Sequence, residues 1–422
     1  MPGTKDNPTA IPLPASAKVW YDPTVATASG QTQQQQPETT PIAHFESAPP
    51  QSHEFGNNWL DVNANYVVYA VKNGLVRVLD RRSPNRTLLR GHTDKKVSDI
   101  QFFQSGDVLG TVGGNVLIWR IYDAGTGADL TAEKLLELPP ALGATRLVWH
   151  PLNPNQFWIL HPRQTSPPPP PSTTTTTTTT TTVVATLVET TRITTTTTTD
   201  GHAMCQLYQP HLVMKGAIQI DAGSSILDLA WSGRDARHIL TTHEDGSIKL
   251  WDMEQHDPVS SNEDVVHPTC LATLSNNYST SSGGVQRCFF LPHDDTSNST
   301  SSSTTINLTA PFVTGSHSNS HVTLWSPFTT STATLPQPLA EFCMEHPSPL
   351  GYNLAPCFGG TPVMDGPPAS FLLLSDRSQG CIYALSLKSK WSPDKRAIVE
   401  GWNYVVPLTT LHPIYSWSLT CA

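Results

Sequence analysis

The sequence has few charged and few apolar residues, and long apolar runs are missing. Charged residues make up 14% and hydrophobic residues 37% of the 422 positions. Both values are low for one compact domain, so part of the chain is expected to lie outside a core. No apolar run approaches the ~18 residues of a membrane span, and the polar N-terminus has no signal-peptide pattern. With seven scattered cysteines, this predicts a soluble intracellular protein in a reducing compartment.

Motifs for metals, cofactors and covalent catalysis are missing as well. Without a C-x-x-C pair, the cysteines predict neither a zinc site nor a regular disulfide framework. Gly113-Gly114 and Gly359-Gly360 lack the strand-to-helix context of phosphate loops, and no Ser nucleophile elbow occurs. His317 and His321 lie four apart on a predicted hairpin end with no Asp or Glu beside them. We therefore predict no catalytic residue, no cofactor and no metal site. The net charge of −9 does not favour nucleic-acid binding.

Composition divides the chain into a tail, a strand-rich domain and two insertions. Residues 1–55 are rich in Pro, Thr and Gln and are predicted to be disordered, because they cannot bury enough apolar surface. Residues 56–422 are predicted to form the domain. Low-complexity loop insertions are predicted at 164–200 and 292–306, since surface loops tolerate added length. The segment 183–193 between the Thr runs is β-prone, but 203–209 is favoured as the strand of that unit.

Pairs of β-prone segments recur along the domain at the spacing of propeller blades. The predicted strands are 66–70 and 75–80; 97–103, 108–112 and 116–121; 145–151 and 156–160; 226–232, 238–242 and 246–252; 285–291, 312–315 and 321–326; 370–375 and 381–387; and 412–418. The Asn73-Gly74 turn supplies the positive φ of a tight hairpin. The pattern predicts an all-β fold, a WD40-type β-propeller of the seven-bladed type with six recognisable blades and an incomplete last blade. Either the chain is a fragment, or that blade is completed differently.

A second set of residues matches the buried hydrogen-bond chain of WD-type blades. In such a chain an Asp orients a His, the His reaches a hydroxyl, and the hydroxyl accepts a Trp indole N–H, so that each buried polar group is satisfied. The residues predicted to make these structural chains are His92, Thr111 and Trp119; Thr241, Asp245 and Trp251; and Thr314 and Trp325. Each set is incomplete: Gly113-Gly114 stand where the second blade's Asp is expected, and Ala222 stands near the fourth blade's His.

One group of basic residues interrupts this acidic sequence between the first two blades. Its members are Arg81, Arg82, Arg86, Arg90, Lys95 and Lys96. They form either a solvated loop face or a docking site for an acidic peptide or phosphates.

The order of these segments resembles one known family. Asn65–Asp80, Leu88–Thr93 and Val97–Phe103 resemble the N-terminal WD40 region of enhancer of mRNA-decapping protein 4, called Varicose in plants. The segments 245–251, 313–316 with 322–325, 380–385 and 413–417 are similar to later parts of the same region. The resemblance covers about residues 59–420 without the insertions.

This resemblance implies a cytoplasmic scaffold of processing bodies rather than an enzyme. Its propeller would bind decapping enzyme and decapping activator subunits and so promote mRNA decapping and decay, with no membrane association and no sequence-specific nucleic-acid binding. Two alternatives stay open. One is another WD40 adaptor, such as a ubiquitin-ligase substrate receptor or a trafficking component. The other is an enzyme with a site at the mouth of a propeller channel.

Overall fold

The architecture is built almost entirely from β-strands. The computed structural model describes residues 11–12, 18–23, 58–92, 96–104, 106–123, 130–163, 182–189, 206–207, 217–232, 236–256, 265–275, 284–291, 309–329, 335–358, 370–391 and 397–409. The chain forms two compact units. The described residues of 57–227 and 250–271 belong to the first, and the described residues of 1–56, 228–249 and 272–415 belong to the second.

Two short strands, β1 (Ile11–Pro12) and β2 (Lys18–Tyr21), come first in the chain. Sheet 1 follows in the first unit, and its strands pair in the order β3 (Leu60–Val62), β4 (Tyr66–Val71), β5 (Leu75–Asp80) and β6 (Arg86–Leu89). Sheet 2 has the same antiparallel order, β7 (Asp99–Phe102), β8 (Val108–Gly113), β9 (Asn115–Tyr122) and β10 (Thr131–Leu138). Short 3-10 segments occur at Lys72–Gly74 and Pro140–Leu142.

Sheet 3 completes the first unit. It runs β11 (Arg146–Trp149), β12 (Gln156–Pro162), β13 (Val183–Glu189) and β15 (Ala217–Ile220), all antiparallel. The two-residue strand β14 (Gln206–Leu207) adds in parallel to β10 of sheet 2.

Sheet 4 has the order β16 (Ile226–Trp231), β17 (His238–His243), β18 (Ser247–His256) and β20 (Pro268–Ser275). The short strand β19 (Val265–Val266) pairs in parallel with β15.

Sheets 5 and 6 belong to the second unit. Sheet 5 runs β21 (Val285–Phe290), β22 (Phe312–Ser316), β23 (His321–Trp325) and β24 (Pro338–Met344), with β2 added in parallel on β24. Sheet 6 runs β25 (Tyr352–Phe358), β26 (Ser370–Asp376), β27 (Cys381–Trp391) and β28 (Ala397–Thr409), with β1 antiparallel on β28. Four sequential antiparallel strands per sheet are the blades of a WD40-type β-propeller, and the predicted fold class is confirmed.

The predicted hairpins are confirmed where strong local signals existed. Asn73 and Gly74 adopt positive φ values of 63° and 70° between β4 and β5, as an Asn-Gly turn requires. The other strands predicted between residues 66 and 387 also appear in sheets 1 to 6, with shifts of a few residues at their ends, whereas β3 and β25 were not predicted. The predicted last-blade strand at 412–418 and the insertion at 292–306 lie outside the described residues.

The structure differs from the predicted domain boundaries in two places. The segment 18–21 lies in the predicted disordered tail, yet it forms β2, because alternation in Lys-Val-Trp-Tyr buries Val19 and Tyr21 on one face. The predicted insertion over 164–200 contains β13, whose Val184, Ala185 and Val188 are buried. The preference for 203–209 as the third strand of sheet 3 was wrong, since β13 pairs with β12 over seven residues.

In three sheets, an aspartate on the first strand forms a hydrogen bond with the first strand of the next sheet. Asp61 of β3 accepts the backbone N–H of Phe102 on β7 at 2.7 Å, and Asp99 of β7 accepts that of Leu147 on β11 at 2.9 Å. Sheet 4 repeats the contact, because the Asp228 carboxylate accepts the N–H of Cys288 on β21 at 3.0 Å. These charge-assisted bonds join the first strands of neighbouring sheets, and apolar clusters fill the space between sheets 1 and 2, 2 and 3, and 5 and 6.

Candidate partner-binding surface

The Gly91-His92 corner is held by a buried chain of polar side chains in sheet 2. Trp119 Nε1 donates to Thr111 Oγ1 at 3.0 Å, and His92 Nε2 lies 2.9 Å from the same oxygen. Thr111 is completely buried and Trp119 is nearly so. The structure thus brings together all three residues that the sequence assigned to this chain.

Asn115 supplies the position for which the sequence offered no aspartate. Its Oδ1 lies 3.0 Å from His92 Nδ1, while its Nδ2 donates to Gly91 O at 2.9 Å and to Glu137 Oε1 at 3.0 Å. Both partners of Nδ2 are acceptors, so the amide orientation is fixed and Oδ1 must accept from His92. Nδ1 therefore carries a proton. In the neutral ring the Thr111 hydroxyl donates to Nε2 at 2.9 Å, which is a shorter contact than the 3.4 Å between this hydroxyl and Leu117 O. The chain ends at the surface, where Lys134 donates to Glu137 at 2.9 Å.

The two glycines before Asn115 explain why the motif was hidden. A Cβ on Gly113 would lie 2.8 Å from His92 Nδ1 and 2.8 Å from the Lys96 carbonyl oxygen. Gly114 turns the chain with a φ of 80°, which a side chain disfavours. Gly113 thus leaves room for the imidazole, and the tight turn places Asn115 opposite Gly113 in the ladder.

Sheet 3 contains a related chain that the sequence analysis did not identify. His161 Nδ1 donates to Pro162 O at 2.8 Å, so its Nε2, which lies 2.7 Å from Thr186 Oγ1, accepts the hydroxyl proton. Gln219 Nε2 donates to the same oxygen at 3.1 Å, where WD-type blades use an indole. Burial lowers the pKa of His161. Thr186 belongs to the strand that was assigned to an insertion, so sequence spacing could not reveal the pair.

The remaining predicted chain residues are placed less uniformly. In sheet 5, Trp325 Nε1 donates to Thr314 Oγ1 at 2.8 Å. In sheet 4, Thr241 Oγ1 lies 2.8 Å from Nε2 of His243, two residues further along the same strand. Asp245 accepts the N–H of Ser247 in the β17–β18 turn at 2.9 Å, and hydrogen bonds from Ser247 help to lower the pKa of Asp245 against its desolvation. Trp251 is buried on β18.

The antiparallel order of sheet 1 separates the predicted basic residues into two groups. The first group, the basic hairpin, consists of Arg81, Arg82 and Arg86, which are exposed at the β5–β6 connection. Arg81 Nη1 donates to Asn63 O at 2.9 Å, so this side chain also ties two turns together. Arg90 follows the opposite end of β6, about 13 Å from Arg86 at ~3.3 Å per residue.

The second group, the basic corner, surrounds Gly91 and His92. Arg90 and Lys96 are exposed there. Lys134, which the sequence analysis did not include, approaches the same corner: its Nζ lies 3.6 Å from where a Cβ on Gly91 would be. Lys95 lies outside the described residues. The rigid hydrogen-bonded chain below the corner fixes the backbone that carries these cations, which reduces the ordering cost of binding an anionic partner.

His317 and His321 meet at the β22–β23 hairpin. Their Nδ1 atoms are 3.1 Å apart, and His317, Ser318 and Asn319 all have positive φ, between 52° and 60°. Burial, followed by the nearby His317 and Lys18, lowers the pKa of His321 to about 4. Within the described ranges, no three His, Cys, Asp or Glu side chains gather closely enough to hold one metal ion.

Comparisons with known proteins give similarity only at the level of structure. No protein-family model matches the chain, and no curated protein matches it. A chain in a crystal structure of a mitotic checkpoint complex is similar with a TM-score of 0.48 and 15% identity, over 92% of this chain and 91% of that chain. The β-propeller domain of Myceliophteria thermophila Cps50 (Swd1) gives 0.45 and 11%, over 83% and 96%. Chaetomium thermophilum Raptor gives 0.45 and 13%, over 87% of this chain and 27% of Raptor.

The fold assignment therefore depends on the sheets and hydrogen-bonded chains themselves. In the portion that the structure describes, no helix has the length and hydropathy of a membrane span.

Proposed function

We propose that this protein is a non-catalytic scaffold whose WD40-type blades dock mRNA-decapping factors and so promote mRNA decapping and decay in cytoplasmic processing bodies. The observation that carries the docking role is the rigid basic corner, where Arg90 and Lys96 are exposed beside the ion-paired Lys134, on a chain of net charge −9. The resemblance of the segments around this corner to the decapping-enhancer family supports the choice of partners. Decapping enzyme and decapping activator subunits are the proposed ligands, with no membrane and no sequence-specific nucleic-acid contact.

The geometry of the histidines supports a structural rather than a catalytic role for them. Both ring nitrogens of His92 and of His161 are hydrogen-bonded to protein atoms, and His161 is completely buried. A general base must reach a substrate proton directly or through one water, which neither ring can do in this arrangement.

The test is recovery of decapping subunits from cell extract by the immobilised chain. The basic corner is reversed in one variant (Arg90→Glu with Lys96→Glu) and the basic hairpin in another (Arg82→Glu with Arg86→Glu). The charge change is the same, so each variant is the matched control for the other. We expect the corner variant to lose at least about tenfold of the recovered partner, since reversing docking charges creates repulsion, and its thermal stability to stay nearly unchanged.

The outcomes separate the parts of this proposal. Recovery of no decapping subunit by the wild-type chain would reject the decapping role. Recovery of ubiquitin-ligase or coat subunits instead would favour another WD40 adaptor. Full binding by both reversed variants would reject the basic residues as the docking surface.

A further inference from the structure

The outer edge of sheet 5 carries a strand that comes from the far N-terminal part of the chain. In β2, Lys18 to Tyr21 pair in parallel with Glu341 to Met344 of β24. The ladder continues one bond further, where the Glu345 N–H donates to Tyr21 O at 2.9 Å. Addition of an extended segment to a sheet edge is a common mode of peptide recognition, in which main-chain bonds give affinity and pockets for alternate side chains give specificity.

The edge of β24 has such pockets. Val19 and Tyr21 are 2% and 5% exposed and belong to the core of sheets 5 and 6. The Tyr21 ring stacks on Phe342 with centroids 5.8 Å apart and meets Tyr383 edge-on at 5.7 Å. The alternate side chains face outward: Lys18 Nζ lies 3.2 Å from Glu341, and Trp20, 55% exposed, meets His321 edge-on at 5.8 Å. The edge therefore selects a basic, an aliphatic, a variable and an aromatic residue in succession.

The pairing that holds β2 on the sheet is short. Among the described residues, four residues of β2 pair with β24, and the Lys18 ammonium is 48% exposed, so its ion pair contributes little. The Tyr21 hydroxyl is buried without a hydrogen-bond partner among the described residues, and burial raises the pKa of Tyr21 to about 12. A four-residue edge strand that buries two side chains, Val19 and Tyr21, opens at a lower free-energy cost than the longer strands inside the sheet. The sequence also separates β2 from β3 by 38 residues, so β2 is a local attachment.

We propose that the β24 edge is a peptide-docking groove for an extended partner segment of the pattern basic–aliphatic–any–aromatic, and that residues 18–21 occupy it in cis until such a segment replaces them. This inference rests on the proposed function as a protein-docking scaffold. The Glu341 carboxylate adds a modest preference for a basic first residue by charge complementarity, whereas the pockets for Val19 and Tyr21 supply most of the selectivity. The cis strand acts as a competitor present at the effective concentration of a tethered ligand.

The test uses the full chain and a fluorescein-labelled synthetic peptide of residues 16–24. In the variant Val19→Asp with Tyr21→Asp, the cis strand no longer fits the pockets, and fluorescence anisotropy should show binding at least about tenfold tighter than to the wild-type chain. A peptide with Tyr21→Phe should bind this variant at least as tightly as the unchanged peptide does, because the Tyr21 hydroxyl has no hydrogen-bond partner to lose among the described residues. A peptide with Tyr21→Ala should bind at least about tenfold more weakly than the unchanged peptide. Failure of the freed groove to bind, or equal binding to both chains, overturns the proposal.

Charge exchange at the groove keeps the test decisive if the double variant does not fold. The Glu341→Lys chain should bind a Lys18→Glu peptide about twofold to fivefold more tightly than the unchanged peptide, and the wild-type chain should show the opposite preference. Equal affinities in this exchange count against the groove. Sedimentation shows whether the wild-type chain forms a dimer. If it does, and if the peptide dissociates the dimer, then a second copy of the chain occupies the groove and an external partner is rejected. Since none of these measurements involves decapping subunits, their result is independent of the extract experiment.

Discussion

Replacing Asn115 by aspartate should destabilise sheet 2, although aspartate is the residue that WD-type chains use to orient their histidine. An aspartate could still accept from His92 Nδ1, but it has no donor for Gly91 O or for Glu137 Oε1, which now lies 3.0 Å from the amide nitrogen. Two carboxylates would face each other instead. At an effective dielectric constant of 20, two unit charges 4 Å apart repel by about 4 kcal/mol.

Two effects limit this penalty. The Lys134 ammonium, 2.9 Å from Glu137, offsets part of the repulsion. The introduced carboxyl can also take up a proton, and raising its pKa from about 3.9 to 7 costs about 4 kcal/mol. We therefore expect N115D to lower the free energy of unfolding by about 2–4 kcal/mol at pH 7. The loss should shrink at pH 5, because a group whose folded pKa is raised destabilises the fold progressively as pH increases from its unfolded pKa.

Urea unfolding followed by tryptophan fluorescence measures the loss, with hydrogen exchange of β8 and β9 as the local readout. Adding Glu137→Gln to N115D should restore at least about 2 kcal/mol, because a glutamine amide can donate to the new carboxylate, whereas Glu137→Gln alone should cost at most about 1 kcal/mol. An N115D protein as stable as wild type, with no rescue by the second substitution, would refute the deduced amide orientation and histidine tautomer.

Three further outcomes follow from the same contacts. Thr111→Val should lower the free energy of unfolding by about 2–4 kcal/mol, because it removes hydrogen bonds to the side chains of His92 and Trp119 and a longer one to Leu117 O. Thr314→Val removes the hydrogen bond to Trp325 and should lower it by about 1–2 kcal/mol. Equal losses in urea titrations would contradict this difference, and Thr111→Ser is the control that keeps the hydroxyl. Gly113→Ala should lower the free energy of unfolding by about 1–3 kcal/mol, because the added methyl group displaces the His92 ring. A melting temperature equal to that of the wild type would contradict a steric clash at this position. Burial keeps the His321 ring neutral in the folded state, so its contribution to stability should be constant above pH 6.5 and should fall as pH decreases from 6.5 towards 4. His321→Gln should reduce the slope of stability against pH in this range without abolishing it, because burial also lowers the pKa of His150, His161 and His317. An unchanged slope would contradict the assignment to His321.

The sequence predicted the parts of the fold that local chemistry determines. The Asn73-Gly74 hairpin and the inner strands of sheet 2 combine turn residues with alternating apolar residues, so pattern and structure agree. The outer strands β10, β24 and β28 were not predicted, because their residues alternate less clearly and their pairing is set by the neighbouring strand. The strand β2 was missed for a different reason: a four-residue strand in a polar segment becomes stable only when β24 supplies its pockets.

The site shows the same division between local and long-range information. His92, Thr111 and Trp119 were identifiable because their spacing follows from two adjacent hairpins. Asn115 was not, because two glycines shift it from the position where an aspartate is expected. Closeness in sequence also gave a wrong grouping of the basic residues. Arg86 and Arg90 lie at opposite ends of one strand, whereas Lys134, more than 40 residues further on, lies at the basic corner with Arg90 and Lys96.

The position of β13 between two threonine runs has an evolutionary consequence. The runs at 173–182 and 194–199 lie in the connections on either side of a strand that supplies Thr186 and three buried apolar residues to sheet 3. Doubling the length of a connection adds only about 0.6 kcal/mol of closure entropy, so gain or loss of threonine codons by replication slippage is nearly neutral for stability. A deletion that extends into 183–189 removes the whole strand. We therefore expect a change in the number of threonines on either side to leave the stability of sheet 3 nearly unchanged, and a deletion within 183–189 to unfold that sheet.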